Sequence, residues 1–122
     1  MPKLLIVDDE LDVREFARNY FQKRGIDVVI AAGGAEGLDL VEKNKPDLVL
    51  LDVRMGTGIS GMEVLRELRR RNAEVKVIMV SALDDQEIVK ESVLLGALGF
   101  IHKPLILEEL EAVVLREFGL NP

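Results

Sequence analysis

Five short apolar runs alternate with segments of helical period along the chain, and this alternation restricts the fold more than any other feature. The runs occupy residues 3–7 (KLLIV), 27–31 (DVVIA), 47–51 (DLVLL), 75–80 (VKVIMV) and 98–101 (LGFI). Runs one and three are almost continuously apolar, as strands buried on both faces of a parallel sheet must be, and are expected at its centre. Between the first two runs, Val13, Phe16, Ala17, Tyr20 and Phe21 recur at the spacing of one helical face, and Gly25 follows where a helix cap belongs. The same reasoning predicts helices over about 35–43, 62–71, 84–94 and 106–118, bounded by Gly, Asn or Pro. The result is a (βα)5 pattern. Parallel strands joined by helical crossovers give a three-layer sandwich that binds ligands beyond the carboxyl ends of its strands. With 122 residues, 48% of them hydrophobic, the chain suits one domain, residues 1–122.

Several function classes fall away on composition. Cysteine is absent, which excludes a disulfide framework and thiolate metal sites and suits a reducing compartment. No apolar stretch reaches the roughly 20 residues of a membrane helix, and the N-terminus runs into Asp8, Asp9 and Glu10 where a signal peptide stays apolar. A cytoplasmic location is expected. A net charge of −6 argues against direct nucleic acid binding by this domain.

The stretch LDVRMGTGISG contains a literal G-x-G-x-x-G, Gly56 to Gly61, after the third run. In a dinucleotide fingerprint the first glycine stands at the turn directly after the first strand, where backbone N–H groups meet a pyrophosphate. Here four residues intervene, Asp52 among them, and the first strand's own turn is acidic and lacks glycine. Asp84 stands a little over 20 residues downstream, near the place of a ribose-binding acid. Two anionic turns would nevertheless repel a pyrophosphate, so the glycines are read as a flexible loop.

If strands one and three are neighbours, Asp8, Asp9 and Asp52 project from one sheet edge into one crevice. Two unit charges about 4 Å apart at an effective dielectric near 20 repel by about 4 kcal/mol, so the arrangement calls for a cation. Hard oxygen donors with retained water suit Mg²⁺. Taken singly, Asp8 and Asp9 would serve as helix caps. The fourth strand ends at Ser81 and the fifth is followed by Lys103, adding a hydroxyl and an ammonium group. Together these groups suit a tetrahedral dianion, with a central Asp as nucleophile for a phosphoryl group.

With these residues assembled, the sequence resembles the receiver domain of bacterial two-component response regulators, chemotaxis-regulator-like in extent, over nearly its whole length. The likeness is carried by LLIVDDE (4–10), DLVLLDVRM (47–55), VIMVSA (77–82) and HKP (102–104). It implies a flavodoxin-like fold, a parallel five-stranded sheet of order 2-1-3-4-5. It implies that Asp52 accepts a phosphoryl group from the phosphohistidine of a sensor histidine kinase or phosphotransfer protein. It also implies Mg²⁺ held by Asp9, Asp52 and the main-chain carbonyl of Arg54, with Asp8 acting through water. Ser81 and Lys103 would contact phosphoryl oxygens, Ser81 and Phe100 would form the switch, and Lys103-Pro104 would be a cis peptide. Such a domain is a regulatory phosphoacceptor, assisting its own phosphorylation and dephosphorylation, and not an enzyme with turnover.

The departures are specific. The family loop reads Met-Pro-Gly-x-x-Gly, whereas Met55 here precedes a loop one residue longer and without proline, which predicts weaker Mg²⁺ binding through greater mobility. Phe100 stands where the family often has Tyr and lacks the hydroxyl. Arg54 and Leu83 are expected beside the phosphoryl group, shielding it from water and giving a long-lived phosphoaspartate. His102, the single histidine, is left out of the site. On the last helix Leu107, Leu110, Val114 and Phe118 form the expected core stripe, with Ile106 and Val113 on its flank. In the family the surface of the fourth helix, fifth strand and fifth helix binds targets or a second receiver, giving a homodimer. The sequence leaves open a single-domain regulator and a receiver from a longer chain. A phosphohydrolase of the haloacid dehalogenase type would need an acid at Arg54, a flavin-binding relative would need a phosphate-cradling first loop, and a pseudo-receiver would have no use for the five site residues together.

Overall fold

The computed structural model describes residues 1–56, 58–82 and 85–120. Strands β1 (Lys3–Val7), β2 (Asp27–Ala31), β3 (Leu48–Asp52), β4 (Lys76–Ser81) and β5 (Gly99–His102) alternate with helices α1 (Leu11–Gln22), α2 (Gly34–Asn44), α3 (Gly61–Arg70), α4 (Gln86–Leu94) and α5 (Leu107–Glu117). The strands form one parallel sheet of order β2-β1-β3-β4-β5, the flavodoxin-like order expected. β1 and β3 lie side by side within it, as their apolar runs require, and β4 is interior too.

Alternation along the buried strands builds two cores, one on each face of the sheet. Leu4, Ile6, Leu48, Leu50, Ile78 and Val80 pack against Ala17 and Phe21 of α1 and Leu110, Val114 and Leu115 of α5. Leu5, Val7, Val49, Leu51, Val77 and Met79 face Leu38 of α2 and Met62, Val64, Leu65 and Leu68 of α3. Three layers follow directly from this pleat. At the end of α1 the Ile26 N–H returns to the Phe21 carbonyl while Gly25 takes a φ of +80°, a left-handed conformation that closes the helix as expected.

β3, β4 and β5 each run one residue past the predicted end, to Asp52, Ser81 and His102. Asp52 pairs in register with Val80 and Ser81 with His102, so hydrogen bonding continues after apolarity stops. Phe16 is not core but 55% exposed, its ring stacked beside Tyr20 with centroids 6.4 Å apart. On α5 the expected stripe holds at Leu110 and Val114, with Phe118 half-buried against the same core, and is widened by buried Leu115; Leu107 is half-buried and Ile106 exposed. The fourth helix starts at Gln86, capped by the Asp85 carboxylate on the Glu87 and Ile88 N–H groups; Asp84, at the predicted start, lies outside the described residues.

Helix α4 buries only Ser92. Arginines of α3 supply much of its attachment: Arg66 pairs with Glu91, and Arg69 Nε donates to the Leu95 carbonyl at 2.6 Å.

Candidate functional site

Because all five strands are parallel, their carboxyl ends share one edge, and the candidate residues follow from where each strand stops. Asp8 is the first residue beyond β1, Asp52 and Ser81 are the last of β3 and β4, and Lys103 is the first beyond β5. Asp8, Asp52 and Ser81 are buried, while Asp9 is exposed at the mouth. The Lys103 N–H donates to the Ser81 carbonyl at 2.7 Å, fixing the lysine backbone, and the Lys103-Pro104 bond is cis.

The Lys103 ammonium is the hub. Its Nζ lies 3.0 Å from Asp8 Oδ2, 3.2 Å from Asp52 Oδ2 and 3.0 Å from Glu10 Oε1. Carboxylate oxygens of Asp8, Asp9 and Glu10 come within 4.8 Å of one another, the only group of three or more potential metal ligands among the described residues. The expected trio was Asp8, Asp9 and Asp52; here Asp52 joins the cluster through the lysine. An all-oxygen set with an exposed member that water can reach fits a hard divalent cation such as Mg²⁺.

Burial raises the Asp52 carboxyl from 3.8 to about 6, and the neighbouring Asp8 charge adds to the shift. The Lys103 ammonium and the Arg54 backbone N–H, both bonded to that carboxylate, oppose it. For Lys103, burial disfavours the charge, but hydrogen bonds to Glu10 and Asp8 and the charges of Asp8 and Asp52 outweigh it, leaving the ammonium above its ordinary value. Three carboxylates thus pair with one ammonium, and Asp9 lies beside two of them, a surplus of negative charge that a divalent cation would relieve.

The glycine loop acquires a separate reason for each of its three glycines. The Gly56 N–H donates to Asp9 Oδ2 at 2.7 Å. Gly58 has a φ of +79°. At Gly61 a Cβ would fall 1.9 Å from the Asp52 carbonyl oxygen, so only glycine lets α3 begin against the end of β3. The helix itself starts at a capping box, with Ser60 accepting from the Glu63 N–H and Glu63 from the Ser60 N–H. Thr57 lies outside the described residues.

Arg54 is exposed at the rim, and its expected companion Leu83 lies outside the described residues. Phe100 is half-buried against the α2/α3-side core, its ring 5.4 Å from that of His102, which is exposed. Two contributors were not read from the sequence. Glu10 reaches Lys103 because the Asp8 carboxylate accepts the Glu10 N–H at 2.9 Å, an Asx turn that curls the chain back; the Asp at i was the available signal. Arg14, one turn into α1, donates to the Asp8 carbonyl at 2.8 Å and pins the same loop.

An acidic crevice at the carboxyl edge of a 2-1-3-4-5 sheet, with a lysine reaching into it from beyond the last strand, sets the class. The family model described as response regulator receiver domain matches residues 4–115, and the chain belongs to that family. It is 37% identical over 119 residues to sporulation initiation phosphotransferase F of Bacillus subtilis, covering 98% of this chain and 95% of that one. It spans about half the length of several other response regulators it matches. Among solved structures, the receiver domain of Francisella response regulator 1452 superposes with a TM-score of 0.89 at 32% identity, covering 98% of each chain. Thermotoga maritima TrrA, solved with Mg²⁺ and a beryllium fluoride, superposes at 0.84 and 32% identity, covering 96% of this chain and 99% of that one. No helix among the described residues is long and apolar enough to cross a membrane.

Proposed function

We propose that this receiver domain, residues 1–122, takes a phosphoryl group onto Asp52 from the phosphohistidine of a cytoplasmic sensor histidine kinase or phosphotransfer protein. The observation that carries this is the Asp52 carboxylate itself: buried at the tip of β3 and hydrogen-bonded to Lys103, which also pairs with Asp8 and Glu10. An Asp52 oxygen attacks phosphorus, the P–N bond to the donor imidazole breaks, and the freed imidazole nitrogen keeps the electron pair and takes a proton from water. The product is an acyl phosphate. Lys103 supplies a cation to the phosphoryl oxygens and Ser81 a hydroxyl, both held by the strand-end hydrogen bonding. Asp8, Asp9, Asp52 and the Arg54 carbonyl would hold Mg²⁺, with Glu10 close by. When bound, Mg²⁺ offsets the negative charge gathered by carboxylates and phosphoryl oxygens.

The partner face is supported by an apolar groove beside the lysine, lined by Val13, Phe16, Ala82, Pro104 and Leu105, with exposed Leu11 nearby. A phosphodonor domain docked there would bring its histidine over Asp52. Output would run through Ser81 and Phe100 to the surface of α4, β5 and α5, where exposed Leu94, Leu98 and Ile106 would meet a target or a second receiver. Phosphorylation shifts that equilibrium only by as much as it favours one state.

Intact-mass spectrometry after incubation with acetyl phosphate and Mg²⁺ tests the reading, beside Asp52→Ala and a chelated sample. One added phosphoryl that requires both Asp52 and the metal supports it. No addition, together with failure to bind beryllium fluoride, would favour a pseudo-receiver.

A further inference from the structure

We propose that Glu10 is a positioning residue for Lys103, holding its ammonium in the unphosphorylated protein and competing with an incoming phosphoryl group for it. The inference rests on the reading of Asp52 as phosphoacceptor and adds a residue that this reading does not use. A lysine ammonium has three N–H donors, and here three carboxylates take them: Asp8 and Glu10 at 3.0 Å and Asp52 at 3.2 Å. The donor set is complete, so a phosphoryl oxygen must displace one acceptor.

Glu10 is the acceptor that yields. The side chains of Asp8 and Asp52 are 4% and 5% exposed and fixed by strand ends, whereas that of Glu10 is 60% exposed, so water can replace its bond to Lys103 at small cost. Glu10 also occupies the cap position of α1, yet its carboxylate makes no capping bond. Its backbone is tied instead by the Asp8 carboxylate, which aims the side chain across the crevice mouth at Lys103. Glu10 therefore acts as a latch on the lysine, restraining it until a stronger anion arrives.

Affinity for a phosphoryl mimic, fluoroberyllate with Mg²⁺, measures the competition by titration calorimetry. Glu10→Gln and Glu10→Ala should each tighten binding about threefold, the size expected of a half-exposed ion pair. Asp12→Asn is the control, since Asp12 is an exposed acid lining the same groove that makes no ion pair with Lys103. In the metal-free protein, the ¹⁵Nζ resonance of Lys103 should move in both Glu10 variants and stay in place in Asp12→Asn. Equal tightening by Asp12→Asn would reduce the effect to general charge and overturn the proposal. Unchanged or weaker binding in the Glu10 variants, with the wild type still binding, would overturn it while leaving the phosphoacceptor reading intact. Failure of the wild type to bind the mimic would remove both, whatever the Lys103 resonance does.

Discussion

Asp52→Asn should make the metal-free protein more stable at neutral pH, although it removes a partner of Lys103. The folded Asp52 carboxyl titrates at about 6 against 3.8 unfolded, so between those values the native state binds more protons than the unfolded one. Stability conferred by the protonated acid is complete below about pH 3.8 and is lost as pH rises through about 6. At 1.36 kcal/mol per pH unit, titration at about 6 in place of 3.8 puts the ceiling near 3 kcal/mol. The amide oxygen of Asn can still accept from Lys103, but with less charge, so a gain of about 1–2 kcal/mol at pH 7 is expected. Chemical denaturation of both proteins in chelator, at steps from pH 4 to 7.5, would show their stabilities diverging with rising pH. The melting temperature would climb by about 3–6 °C for each kcal/mol. A variant less stable than the wild type at pH 7, or a gain of the same size at pH 4, would refute the reasoning.

Other positions give sharper yes-or-no outcomes. Gly61→Ala sets a methyl group against the Asp52 carbonyl and should cost at least about 3 kcal/mol in denaturant unfolding. Phe16→Ala removes a mainly exposed ring and should change stability by under about 1 kcal/mol, while slowing phosphoryl uptake from a partner protein and leaving uptake from acetyl phosphate unchanged in mass-spectrometric time courses. The phosphorylated protein should be long-lived, and Arg54→Ala should shorten the half-life several-fold by opening the rim to water; a half-life of seconds insensitive to that change would contradict the shielding role.

The sheet was legible because parallel strands buried on both faces leave a signal few other structures share. Runs at 3–7 and 27–31 match β1 and β2 residue for residue, and the central placing of β1 and β3 followed from their unbroken apolarity. Strand ends were less legible, since Asp52, Ser81 and His102 remain in the ladder while polarity marks them as loop. Asp8, Asp52, Ser81 and Lys103 could be placed at one edge from strand order alone. The role of Glu10 could not, because it depends on a turn closed by the Asp8 side chain, a tertiary detail that no periodicity records. Phe16 misled for a related reason: helical period marks an apolar face, but at the start of α1 that face overlooks the crevice and not the sheet. The glycine loop was read as a flexible loop, yet the need for Gly61 appears only once α3 is seen to start against the end of β3.

The most direct test of the account is to trap the acyl phosphate. After phosphorylation with acetyl phosphate and Mg²⁺, borohydride reduction should convert the modified aspartate to homoserine, and peptide mapping should find that conversion at position 52 alone. Homoserine at Asp8 or Asp9, or none in a sample that has demonstrably gained a phosphoryl group, would contradict it.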